Sequence, residues 1–130
     1  LVAAYVGTYT DVEAAVRRHD ASSPLLARHA IPPAEYQLQT DVEQYLKLGV
    51  VPAGVPALHA RIASLDLAGS PPQATLAACP AALRLLDLKT GKPVKSRSLP
   101  PNPFTVTLQT VQGRWVVSFF KVDRNKTCSA

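Results

Sequence analysis

Apolar residues at Val2, Tyr5, Val6, Tyr9, Val12 and Val16 recur in steps of three and four, which is the spacing of one helical face. Asp11, Glu13, Arg17 and Arg18 fall mostly off that face, acids first and bases last, in the sense the helix dipole favours. The stretch HDASSP ends this helix, and Ser23-Pro24 reads as an N-cap followed by proline at the first helical position. A short second helix is predicted in LLARHA, and IPP breaks it. Pro33 opens a third helix with a buried stripe of Leu38, Val42, Tyr45 and Leu46, and Gly49 stops it.

From VVPAGVP onward the apolar period is two. Residues 55–67 are predicted as a strand with His59, Ala63, Leu65 and Leu67 on one face and Leu58, Ile62, Ser64 and Asp66 on the other. AGSPPQ is a turn. Residues 73–79 and 83–88 read as one further extended stretch, interrupted at Pro80 by a bulge or edge bend. LKTGKP is a turn and PPNP a connecting loop. Residues 104–111 alternate, VQGR is a hairpin turn, and residues 115–122 are apolar on both faces, a pattern that predicts cover on both. Helices over about 2–48 followed by four to six antiparallel strands over about 55–123 predict one α+β domain, residues 1–130, with helices on one face of the sheet.

Composition narrows the picture. At 47% hydrophobic and 18% charged, a chain of 130 residues suits one folded domain with a real core. No apolar run approaches the ~18 residues of a membrane span. Leu1 opens inside an apolar pattern, which predicts a mature fragment whose targeting or tethering segment has been removed. The net charge of +5 is uneven: residues 1–65 hold five basic and six acidic side chains, residues 66–130 nine and three. The lysines of LKTGKPVKSR have no aromatics between them, so no nucleic acid is expected and the excess reads as a solvated sheet edge. Cys79 and Cys128 lack metal-ligand spacing and are either a disulfide or two inert thiols. A bond between them would close a loop of about 50 residues, worth roughly 4 kcal/mol by chain entropy, and would imply an oxidising compartment.

The order of Gly49-Val50…Gly54…Pro56, Ala74-Thr75…Cys79, Asp87…Thr90-Gly91…Pro93 and Gly113-Arg114-Trp115-Val116-Val117 resembles the nuclear-transport-factor-2-like superfamily. Within it, the chain looks like small actinobacterial secreted proteins or lipoproteins of unknown function. The resemblance spans nearly the whole chain and implies a cone, a cystatin-like roll in which a curved antiparallel sheet wraps the helices, often around a pocket. It implies a Cys79–Cys128 disulfide, a secreted or cell-envelope location with a lipid anchor in some relatives, and a homodimer through the open sheet face. Acidic residues expected beside the first cysteine are replaced here by Ala78, Pro80 and Ala81.

That superfamily holds isomerases, cyclases and dehydratases as well as binding domains, so fold does not decide function. The residues weighed for chemistry are His59, Asp66, Asp11, Tyr5 and Tyr9. Asp66 lies on the opposite face from His59, which argues against their acting together. Tyr5 and Tyr9, one turn apart, are candidates for a pocket mouth, with His59 and Trp115 as further pocket candidates. The plainer readings are core tyrosines, a histidine exposed at a strand start and a packing tryptophan. His19 and His29, near helix ends, read as surface residues. No histidine pair has ligand spacing, so neither metal nor cofactor is expected. The expectation is an exported, non-enzymatic domain that binds a small apolar molecule or a protein partner. The alternatives are an isomerase-, cyclase- or dehydratase-type enzyme with a pocket His or Asp, and a structural dimerisation module.

Overall fold

Helix α1 spans Val2–Arg17 and helix α2 spans Ala34–Leu48 in the computed structural model, which describes residues 1–95 and 102–128. Pro33 precedes α2, and Gly49 ends it in the left-handed conformation at φ 72°, where a side chain would be strained. Between the helices a 3₁₀ turn covers only Pro24–Ala27, capped by the Ser23 hydroxyl, which accepts from the Leu25 N–H at 3.2 Å. The predicted second helix stops there because the next residues bond elsewhere: Val117 N–H donates to the His29 carbonyl and Ile31 N–H to the Val117 carbonyl.

Six strands follow among the described residues. β1 (Val50–Ala53) pairs with β4 (Arg84–Asp87) in a two-stranded antiparallel sheet. β2 (Arg61–Asp66), β3 (Gln73–Ala78), β5 (Phe104–Val111) and β6 (Arg114–Val122) form a four-stranded antiparallel sheet in the order β2-β3-β5-β6. The fold is therefore α+β, with the N-terminal helices packed on antiparallel sheets. The helices rest on β6 and β1. Leu76, Val106, Leu108 and Val117 supply the sheet side of the core, and Tyr5, Val16, Leu26, Leu38 and Val42 the helical side. A fully buried leucine or valine of this kind contributes about 1.5–3 kcal/mol.

Three expectations need correction. The strand expected at residues 55–67 is regular only over Arg61–Asp66. Gly54 and His59 both take positive φ, 77° and 44°, which breaks the extended path. Both faces of β2 are exposed, since it is an edge strand beyond the helices and a bulge between Ile62 and Ser64 shifts its alternation. Residues 73–79 and 83–88 do not form one interrupted stretch: β3 lies inside the large sheet, and after Pro80 the chain leaves it to pair with β1. Asp11 does not sit off the buried face of α1, because that face runs through Ala4, Tyr5, Thr8, Asp11, Val12, Ala15 and Val16. Of the connection expected at residues 100–103, residues 100 and 101 lie outside the described residues, as do residues 96 and 97 of the basic run.

The last strand, apolar on both faces, is handled in an unexpected way. Gln112 (φ 52°) and Gly113 (φ 78°) form the tight hairpin turn after β5. The register then slips, so Val117 pairs with Leu108 and Phe119 with Thr107, leaving Ser118 as the bulge. This turns Val117 and Phe120 to the core side, while Phe119 stays 41% exposed on the other. β6 is also an edge strand. Residues 29–31 cover part of its free edge, and the Gln37 carboxamide covers more by donating to the Phe120 carbonyl and accepting its N–H, both at 2.9 Å. A side-chain amide here stands in for a neighbouring strand.

Candidate functional site

A concavity of about 650 Å³ opens between α1, α2 and one end of the large sheet. Tyr5, Thr8, Tyr9 and Val12 of α1 recur at helical spacing and form one wall. Gln37, Asp41 and Tyr45, each four residues apart on α2, run beside the buried stripe of Leu38 and Val42 and form the other. Phe104, Phe120 and Val122 close the sheet end. The rim comes from Pro52, Pro80–Leu83, Asn102 and Arg124.

The disulfide lies at this rim. Cys79 is bonded to Cys128, with Cα atoms 5.9 Å apart and a sequence separation of 49. Cys79 directly precedes the rim segment 80–83, and Cys128 ends the segment that carries Arg124. Two hydrogen bonds fasten the same segment: Asn102 Nδ2 donates to the Lys126 carbonyl at 2.7 Å, and Asp123 N–H to the Pro103 carbonyl at 2.9 Å. The final cysteine thus holds the C-terminal segment against the mouth of the concavity.

Inside, polar groups are few. The Tyr5 and Tyr9 hydroxyls bond to each other at 3.1 Å, with the rings edge to face at a centroid distance of 5.4 Å. Burial raises the pKa of both phenols; the bond to Tyr9 partly offsets this at Tyr5, and nearby Tyr5 and Asp41 raise Tyr9 further. Burial also pushes Tyr45 up to about 12, helped by the charges of Asp41 and Tyr9. Asp41 as a whole residue stands open at the mouth, but its carboxyl is crowded by protein. That desolvation pushes it up to about 6 from the ordinary 3.8. Asp41 makes no side-chain hydrogen bond or ion pair among the described residues. Among the described residues, Asp41 and Arg124 are the only charged side chains lining the concavity.

A second polar cluster lies elsewhere. Asp11, 3% exposed, meets His29 Nδ1 at 2.6 Å. The imidazole lies on Gly7, where any Cβ would fall 2.6 Å from the ring. His29, expected at the surface from its place near a helix end, keeps 36% of its side chain exposed but is tied to a buried carboxylate, which the sequence did not predict. With Arg28, Arg114, Trp115 and the start of α1 it borders a smaller hollow of about 350 Å³.

Of the residues singled out in sequence, Tyr5 and Tyr9 line the large concavity, and Trp115 borders the small hollow while packing on the core. His59 is exposed and lines neither. Asp66 caps its own turn, accepting from the Ala68 and Gly69 N–H groups at 3.1 and 3.0 Å. Asp41 and Gln37 escaped the sequence reading, although their spacing to Tyr45 along the flank of the Leu38/Val42 stripe carried a signal. No group of three or more His, Cys, Asp or Glu side chains suited to a metal ion occurs among the described residues. No helix among them is long and apolar enough to cross a membrane. The chain matches no protein-family model and has no significant sequence match among curated proteins.

Proposed function

We propose that this chain is an exported, non-enzymatic binding domain of the nuclear-transport-factor-2-like superfamily that takes a small, largely apolar molecule into the concavity between α1 and α2. The observation that carries the reading is the concavity itself, about 650 Å³, walled by Tyr5, Tyr9, Tyr45, Phe104 and Phe120 with a few polar groups among them. Volume and lining both match small-molecule sites. Helices followed by antiparallel strands agree with the superfamily expectation. The Cys79–Cys128 bond supports a secreted or cell-envelope location, because such bonds persist in oxidising compartments.

An acid–base enzyme is the second reading, favoured by one observation: Asp41 is an unpaired pocket carboxyl held near pH 6, suited to take a proton at neutral pH. A dimerisation module is favoured by the exposed apolar side chains of the large sheet, Phe119 of β6 with Ile62 and Leu65 of the edge strand β2. Light scattering showing a monomer at high concentration removes that last reading.

The binding reading is tested with N-phenyl-1-naphthylamine, a neutral apolar fluorophore. We expect a saturable 1:1 rise in emission, abolished in Ala82→Trp, which fills the mouth from an exposed rim position. No saturable rise, or an unchanged one in the variant, overturns the reading.

A further inference from the structure

We infer that the molecule taken by the concavity is an organic cation, an amine with an apolar body. This rests on the concavity being a ligand site and goes on to name the ligand's chemistry.

A carboxyl at a protein–water boundary ordinarily finds a base, a backbone N–H or open water. Asp11 takes His29, Asp66 and Asp87 take turn N–H groups, and Asp123 faces Lys126. Asp41 has neither a base nor a backbone N–H among the described residues and stands exposed at the mouth of the concavity, facing only water. Its neighbours there are phenols, Tyr9 and Tyr45, with Tyr5 behind them. Phenol faces attract cations, and a carboxylate between them supplies the full charge. An ammonium group seated there would gain a charge-assisted bond to Asp41 and ring faces around its alkyl carbons, while its apolar body lay toward Val12, Phe104 and Phe120. Arg124, the other charged lining residue among those described, comes from the C-terminal rim segment and is exposed.

The carboxyl's raised value makes the preference depend on pH. Burial raises the phenols of Tyr5, Tyr9 and Tyr45 further above this range, and Asp41 is the described lining group raised into it, to about 6. An alkylammonium keeps its charge there, so its binding weakens as pH falls from 7.5 to 5.

The experiment compares three ligands of one apolar body, n-octylammonium, n-octanol and n-octanoate, by calorimetry on the full chain at pH 7.5. We expect octylammonium to bind at least about tenfold more tightly than octanol, the scale of one charge-assisted hydrogen bond. That preference should vanish in Asp41→Asn, which should still bind octanol. Equal affinity for octylammonium and octanol overturns the cation inference and leaves the binding reading intact. Tighter octanoate overturns it in favour of Arg124. Failure of all three, together with failure of the naphthylamine probe, overturns the binding reading itself. The comparison on the unaltered chain stands whether or not Asp41→Asn folds.

Discussion

Asp11 and Asp41 are both helical carboxylates, yet they have opposite surroundings: one lies on the buried face of α1, the other at the exposed flank of α2. Asp11 is almost wholly buried and meets His29 at 2.6 Å, so its charge is spent on tying α1 to the segment that borders β6. Asp41 is exposed at the mouth and has no hydrogen-bond or ion-pair partner among the described residues, and burial of its carboxyl pushes it up to about 6. A buried carboxylate with a partner explains itself as structure. One left without a partner in an aromatic wall is carried at a cost to the fold, and such costs gather where a ligand is bound.

That contrast can be broken at several points. The largest effect is expected from Cys128→Ser, which frees the C-terminal rim segment and removes a link between residues 49 positions apart. Stability should fall by roughly 2–4 kcal/mol in urea denaturation, and naphthylamine binding should weaken with it. His29→Ala strands the buried Asp11 carboxylate and should cost about 1–3 kcal/mol, with no loss of ligand affinity once the protein is folded. Tyr5→Phe removes the 3.1 Å hydroxyl pair and should cost about 0.5–1.5 kcal/mol by thermal melt.

The smallest effect is expected at Asp41. Asp41→Asn should be slightly more stable than the parent near pH 7, because no bond is lost and the cost of the charge is removed, the gain being kept small by the residue's exposure to solvent. The sign of its pH dependence is the sharper test. A carboxyl raised in the folded state contributes stability that is full below its unfolded value and lost as pH rises through about 6. Asp41→Asn should flatten that decline between pH 4 and 7 in melts across the range, whereas a steeper decline would mean that Asp41 is partnered.

Local chemistry was readable in advance, and long-range placement was not. Pro33 and Gly49 bracket α2, Ser23-Pro24 starts the 3₁₀ turn, and the positive-φ pair at Gln112-Gly113 makes the hairpin. Each of these depends on neighbours a few residues apart. The Asp11–His29 pair spans 18 residues and depends on Gly7 leaving room for a ring, which no periodicity reveals. The pairing of β1 with β4 joins segments over thirty residues apart through a strand that contains Pro52. Alternation carried His59 into a predicted strand, but its φ of 44° takes it out, and exposure then removes it from the concavity. Asp41 was the nearest miss, since it lies four residues from both Gln37 and Tyr45 beside a correctly predicted stripe.

The central claim is that Asp41 is an unpaired carboxyl waiting in an aromatic wall for a cation. A pH titration of its side-chain carboxyl by ¹³C NMR, with and without n-octylammonium, tests this directly. The account predicts a midpoint near 6 in the free protein, falling when the cation is present. A midpoint at the ordinary 3.8, unmoved by the cation, would contradict it.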